Sequence, residues 1–241
     1  PVAPGDWRHF NRDPGGARYS PLEQITVDNV ADLELAWVYQ PAAPPAKADP
    51  EQESGDEEKN ARVAAALARV MGELNLSAIP GGVGIKAVPV VVDGVMYLPA
   101  GNHVVAVDAA KGEEVWRYRL PCEALVSTYG VNYWPGTDKV APRIVFTATK
   151  KLFALDAATG EPAAGFGEEG SVELGIDYRG VPVVVGDVLA VGANVIETPQ
   201  DPKEHGDTRG LDAVSGEQRW VFNSVQRPGE VGHDSWLDEG W

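Results

Sequence analysis

The sequence predicts an all-β chain built as a β-propeller, a partial ring of about three to four four-stranded blades at roughly forty to fifty residues each. Three observations carry that expectation. A short phrase returns three times: VVAVDAAKGEEVW ending at Trp116, LFALDAATGEPAAGF ending at Phe166, and RGLDAVSGEQRW ending at Trp220. Its aspartates, Asp108, Asp156 and Asp212, lie 48 and 56 positions apart, the period of a four-stranded blade. Gly (27) and Pro (19) are numerous but dispersed over the 241 residues, as a protein with many turns requires. Within each copy an Asp can bond turn N–H groups, a Gly can take positive φ, and an aromatic closes the unit and is expected to pack between neighbouring sheets.

The elements follow in order. Residues 1–40 read as a lead-in segment and a first strand. The cluster Asp13-Pro14-Gly15-Gly16 is a turn, Thr26 to Leu33 a short capped turn, and Leu33 to Tyr39 alternates as a strand. Residues 41–84 read as an insertion. The acidic run ADPEQESGDEEKN is a solvated loop, and Val63, Leu67, Val70, Met71 and Leu74 then fall on one stripe of an amphipathic helix. Acidic Asp56, Glu57 and Glu58 precede the helix, where they complement its dipole. Residues 85–241 read as the blades. Hairpin turns are expected at Asp93-Gly94, Gly101-Asn102, Thr149-Lys150 and Gly186-Asp187, while STYGVNYWPGTDKVAP is too irregular for one strand.

Composition excludes several classes of function. A net charge of −16 would repel nucleic acid and anionic membrane surfaces. No window approaches the eighteen or more apolar residues of a transmembrane segment. Cys122 is the single cysteine, so an intramolecular disulfide and a cysteine-based zinc site are both ruled out. His9, His103, His205 and His233 have no metal-ligand spacing. Phosphate-binding glycine loops, a nucleophile elbow and a C-x-x-C-H haem motif are absent from the sequence.

Beyond the repeat, GDWRHFNRDPGGARYSPLEQI followed by LELAWVY resembles the opening of the quinoprotein dehydrogenases that depend on pyrroloquinoline quinone, in their alcohol- and glucose-oxidising branch. VVDGVMYLPAGNHVVAVDAAKGEEVWRY, NYWPG, ALDAATGEPAAGFGEEG, VGANVIETP and RPGEVGHDSWLDEGW resemble that family's later segments, in its order. The likeness implies part of an eight-bladed propeller, a periplasmic or membrane-associated setting, and oxidation of an alcohol or sugar. It also implies the quinone and a divalent cation, usually Ca2+, on the propeller axis. There the cation polarises a quinone carbonyl while a carboxylate takes the substrate hydroxyl proton.

Residue by residue, the resemblance makes Glu197 a metal ligand, an oxygen donor of the kind a hard cation takes; the alternative is an exposed loop acid in an acidic chain. It makes Gly192 and Ala193 the place where backbone approaches the cofactor. Three cofactor positions depart from its pattern. Lys86 stands where the family commonly has a carboxylate or amide, Tyr129 where it has an arginine that clasps the cofactor's carboxylates, and Arg179 next to Gly180 where it often has Ser or Thr. A phenol cannot replace a bidentate guanidinium. Lys86 and Arg179 either bring positive charge from new positions or are ordinary surface cations. Cys122 is followed by Glu123 where some relatives carry a vicinal cysteine pair, and reads as a lone thiol.

The stacking aromatic and the catalytic Asp of such enzymes come from later blades, so no catalytic residue is assigned. The expected function is therefore that of a fragment of a quinoprotein dehydrogenase, inactive by itself, whose partner is the missing propeller half or another copy. The alternative is a non-catalytic propeller module serving as an interaction or assembly platform.

Overall fold

The computed structural model describes residues 3–13, 15–39, 87–121, 126–127, 129–175, 178, 180–193 and 206–235. The expected acidic loop and helix within 41–84 lie outside them, as do Cys122 and the chain's last six residues.

Three four-stranded antiparallel sheets make up the described blade region, each strand pairing with the next in sequence. The first holds β1 Val90–Val92, β2 Val95–Ala100, β3 His103–Asp108 and β4 Glu114–Arg119. The second holds β5 Asn132–Trp134, β6 Arg143–Ala148, β7 Lys151–Asp156 and β8 Ser171–Glu173. The third holds β9 Val183–Val185, β10 Val188–Gly192, β11 Asp207–Asp212 and β12 Gln218–Asn223. All four expected hairpin turns are present, with positive φ at Asp93 and Gly94, at Gly101, at Thr149 and at Gly186.

The Asp turn of the repeated phrase folds the same way three times, but a strand follows directly only in the first and third copies; in the second, Phe166 lies in a turn and β8 opens only at Ser171. Each Asp Oδ1 accepts from the N–H groups two and three residues on: 2.9 and 3.0 Å at Asp108, the same at Asp156, and 2.8 and 2.7 Å at Asp212. Each Asp N–H donates to the carbonyl five residues on, and the turn Gly N–H returns to the Asp carbonyl. The glycines Gly112, Gly160 and Gly216 sit at φ 73, 74 and 78, where only glycine is unstrained.

These turns are also where one sheet meets the next. The ring of Trp116, on β4, covers the second sheet's turn so closely that a Cβ on Gly160 would come within 2.6 Å of it. Its Nε1 donates to Ala157 O at 3.0 Å, and the Tyr97 hydroxyl donates to the same carbonyl at 3.2 Å. Trp37 covers Gly112 in the same way and donates to Ala109 O at 3.2 Å. At the third turn the aromatic is Phe166, which has no N–H. There the guanidinium of Arg143 takes over, donating to Ala213 O at 2.6 Å, Val214 O at 2.7 Å and Ala164 O at 2.8 Å. It lies over the Trp134 and Phe166 rings at 5.5 and 5.6 Å. Burial lowers this guanidinium's pKa, and three carbonyl acceptors compensate its desolvation.

The second sheet is apolar on both faces. One face, with Ile144, Phe146, Phe153 and Leu155, joins Val90, Val104 and Trp116 of the first sheet. The other, with Val145, Leu152 and Ala154, joins Val184, Leu189, Val191 and Leu211 of the third. A sheet covered on both sides loses the in-out alternation of a half-exposed sheet, and every residue of β6 is buried.

Two expectations are corrected. Residues 33–39 form no strand: Trp37 and Tyr39 carry the contacts, Tyr39 through a 2.7 Å bond to Glu114, while Leu33, Leu35 and Val38 are exposed. Alternation alone makes a strand only where another backbone supplies the ladder. The lead-in is held instead by a bridge between Trp7 and Val91, with bonds of 2.7 and 2.9 Å, and by Asp6, whose carboxylate accepts from the Asp93 N–H. His9 Nδ1 lies 3.2 Å from Asn132 Oδ1. Trp220, the third closing aromatic, is not packed between sheets but 42% exposed, against 9% for Trp116, because among the described residues no sheet stacks beyond β12.

Candidate functional site

Strand direction sorts the loops of each sheet into two groups. Hairpins 1–2 and 3–4, the latter carrying the repeated Asp turn, share one end. Hairpin 2–3 and the connection entering strand 1 share the other. Tyr129 lies in the connection entering β5, and Gly192 and Ala193 close β10 at its 2–3 hairpin, so all three lie at this second end. Lys86, Arg179 and Glu197 lie outside the described residues.

The second end is stitched from sheet to sheet. Ser127 N–H donates to Thr147 O at 3.0 Å, and Tyr129 N–H to Ser127 Oγ at 3.3 Å, leaving the Tyr129 side chain exposed. Buried Thr147 donates from Oγ1 to Gly180 O at 2.9 Å, tying the second sheet to the connection that enters the third. Gly192 pairs with Thr208 in the ladder, and Ala193 N–H donates to Asp207 O at 2.9 Å. A Cβ on Gly192 would meet only Thr208 Oγ1, at 3.9 Å, so backbone there is accessible without steric need for glycine.

Beside Ala193 is a polar group that sequence reading missed. Asp207 is buried; its Oδ1 accepts from the Tyr178 hydroxyl at 2.6 Å, and its Oδ2 from Arg209 Nε and Nη2 at 3.1 and 3.0 Å. Arg209 Nη1 closes the group on Leu174 O at 2.7 Å. Burial, and then the Asp207 bond, push the Tyr178 phenol well above its ordinary pKa. The available signal was Asp207-x-Arg209, an opposite-charge pair at i, i+2 on one face of a strand. Sequence reading also missed Asn102 and His103, at the 2–3 hairpin of the first sheet. Their Oδ1 and Nδ1 atoms are buried without a hydrogen-bond partner. Burial, with Arg117 and Arg119 nearby, lowers the His103 pKa.

These residues do not by themselves fit the implied group. A tricarboxylate quinone asks for cationic, preferably bidentate, partners. The described second end offers a phenol at Tyr129, an imidazole at His103 and an amide acceptor at Asn102; of its cations Arg209 is committed to Asp207 and Lys151 pairs with Glu173, while Arg119 ends β4 opposite His103 and Lys150 sits in the hairpin between β6 and β7. Among the described residues no three His, Cys, Asp or Glu side chains lie together as a cation would need. No catalytic step is therefore routed through quinone or cation here.

Successive four-stranded sheets, stacked through a repeated turn and sharing one loop end, define a segment of a β-propeller. The comparisons with known proteins make the class particular. Residues 7–241 match the family model described as "PQQ: Glucose/ethanol/alcohol dehydrogenase, beta-propeller domain", and the chain belongs to that family. It is 30% identical, over 95% of its length, to the glycerol dehydrogenase large subunit of Gluconobacter oxydans (strain 621H), of which it covers 30%. It is 28% identical to the quinohemoprotein alcohol dehydrogenase ADH-IIG of Pseudomonas putida, over 94% of this chain and 26% of that one. The crystal structure of the Comamonas testosteroni quinohemoprotein alcohol dehydrogenase superposes with a TM-score of 0.61 at 25% identity, over 91% of this chain and 27% of that one. The Pseudomonas putida HK5 ADHIIG structure superposes with a TM-score of 0.63 at 25% identity, over 95% and 29%. The chain thus spans about three tenths of the length of the relatives it matches. Among the described residues no helix is long and apolar enough to cross a membrane.

Proposed function

We propose that this chain supplies blades to a pyrroloquinoline-quinone-dependent dehydrogenase that oxidises an alcohol or sugar hydroxyl, with Ca2+ beside the quinone, in the periplasm or at the membrane. Three regions compose it: the lead-in 1–40, the insertion 41–84 and the blades 85–241. The observation that carries the reading is the family match over residues 7–241. It is supported by topology, which puts Tyr129, Gly192 and Ala193 at one loop end of their sheets. In this reading Glu197 is an oxygen ligand to the cation, Gly192 and Ala193 are backbone neighbours of the quinone, and Lys86 and Arg179 bring the positive charge that Tyr129 lacks.

A second reading, a non-catalytic propeller module serving as an assembly platform, is favoured by one specific observation: Tyr129 is an exposed, neutral side chain where the resemblance expects a carboxylate-clasping arginine.

A chimera separates the two. The matched segment of the Pseudomonas putida quinohemoprotein alcohol dehydrogenase is replaced by this chain, and dye-linked alcohol oxidation is measured with quinone and Ca2+ present. Turnover that falls at least about tenfold with Glu197→Ala, as loss of a site-building carboxylate would cause, supports the enzyme reading. A chimera that unfolds cooperatively yet gives no turnover overturns it in favour of the module. The isolated chain is expected to give none in either case, since the resemblance assigns the carboxylate that takes the substrate proton to later blades.

A further inference from the structure

One buried ionised group, Tyr178, Asp207 and Arg209, has no part in the proposed reaction. Alternate residues of a strand share a face, so Asp207 and Arg209 stand on the face of β11 whose Leu211 packs against the second sheet. Each bond of the group joins two parts of this chain, at the joint between its second and third sheets. The Asp207 side chain is 6% exposed and that of Arg209 24%, so the pair is largely withdrawn from water. Such a pair is weak evidence of stabilisation, because apolar residues of similar volume commonly pack as well or better. Charge-assisted bonds add what apolar packing lacks, a fixed direction for each partner.

That direction is imposed on the connection from β8 to β9. Its described residues, 174–175, 178 and 180–182, belong to no strand and so have no ladder to place them. On one side the second sheet holds this backbone. Leu174 N–H donates to Lys150 O at 2.7 Å, Tyr178 N–H reaches Thr149 O only at 3.4 Å, and Thr147 Oγ1 donates to Gly180 O at 2.9 Å. On the other side β11 holds it through the ionised group. Arg209 Nη1 donates to Leu174 O at 2.7 Å, and Asp207 Oδ1 accepts from the Tyr178 hydroxyl at 2.6 Å. The Arg209 guanidinium also lies 5.9 Å from the centre of the Tyr178 ring. Asp207 then reaches the neighbouring hairpin through its backbone, whose carbonyl accepts from Ala193 N–H at 2.9 Å. The connection entering β9 and the residue after β10 thus meet on one aspartate.

We infer that Asp207 is a positioning residue of the second end: paired with Arg209, it sets where the connection entering β9 and the Ala193 backbone stand. That these positions matter to a reaction rests on the enzyme reading; that the ion pair sets them does not.

Amide hydrogen exchange on the purified chain, together with a thermal melt, tests this. Asp207→Asn keeps the shape and removes the charge that Arg209 faces. The amides of residues 174 and 178 should then exchange at least about tenfold faster relative to those of β6. In the triple variant Asp207→Leu, Arg209→Met, Tyr178→Phe, no buried charge or hydroxyl is left unpaired. Its melting temperature should return to the parent's, while the same two amides stay at least about tenfold faster. That split marks positioning, since a merely stabilising role would restore both. Unchanged exchange in Asp207→Asn, or parental exchange in the triple variant, overturns the inference; should the triple variant fail to fold, Asp207→Asn decides alone. In the chimera the triple variant should turn over alcohol at least about tenfold more slowly than the parent chimera, as displaced backbone at a reacting site would cause. Equal turnover overturns the inference. A folded parent chimera without turnover overturns the enzyme reading alone, and exchange then decides the role of Asp207.

Discussion

Replacing Gly160 with alanine probes the joint between sheets, because two separable penalties act there. The first is conformational: φ is +74, and a residue with a Cβ in the left-handed region costs about 1–2 kcal/mol. The second is steric: the new Cβ would lie 2.6 Å from Cδ2 and Cε3 of Trp116, a ring also held by its bond to Ala157 O. Forcing a methyl into packed surroundings costs about 1–3 kcal/mol. Gly94 is the internal control, with φ at +78 and nothing within 4 Å of where a Cβ would sit. Gly94→Ala should therefore cost about 1–2 kcal/mol, the conformational penalty alone. Gly160→Ala should cost about 2–5 kcal/mol, the sum of both. Urea unfolding followed by tryptophan fluorescence measures each. In a Trp116→Leu background, where the indole is gone, the extra cost should largely disappear, giving a coupling of about 1–3 kcal/mol. If Gly160→Ala costs no more than Gly94→Ala, the indole does not bear on the turn as described, and the account of how the sheets stack fails.

Other outcomes follow from the same structure. Arg143→Met should destabilise by about 3 kcal/mol in urea unfolding, since three carbonyls lose their donor while a buried charge is also removed; Arg143→Lys should not restore stability, because one ammonium lacks the fork that reaches Ala213, Val214 and Ala164 together. Acid should weaken the repeated turns. At Asp212 burial acts to raise the pKa, but the Ser215 N–H, the Arg219 guanidinium and the Val214 N–H outweigh it and hold the carboxyl below its ordinary range. At Asp108 the N–H groups of Ala110 and Lys111 do the same. A carboxyl whose folded pKa is depressed adds stability above its unfolded pKa and loses it as pH falls through the folded one. The urea midpoint should therefore drop on acidification through and below the carboxylate range, and the drop should be shallower in Asp212→Asn; an unchanged acid limb in that variant would remove Asp212 from the explanation.

What the sequence by itself determined was local and repeated. Asp108, Asp156 and Asp212 specify their turns through bonds that span only two to five residues, so spacing and turn chemistry sufficed to place hairpins and sheets. The side of each sheet on which Tyr129, Gly192 and Ala193 fall was legible too, because it follows from strand order. What only the tertiary structure decided were contacts between residues far apart in sequence. Leu33 to Tyr39 alternates like a strand yet forms none, because a ladder needs a second backbone and pattern cannot report whether one is near. Arg143 stands in for the missing indole N–H at the Phe166 joint, 70 positions from the carbonyl of Ala213, and its sequence context looks like an ordinary strand start. Asp207, Tyr178 and Arg209 form a buried group only because the connection entering the third sheet returns past β11. Trp220 carries the same local signature as Trp116, and its exposure is set by what stacks against it, a property of the assembly of sheets and not of the phrase that ends on it.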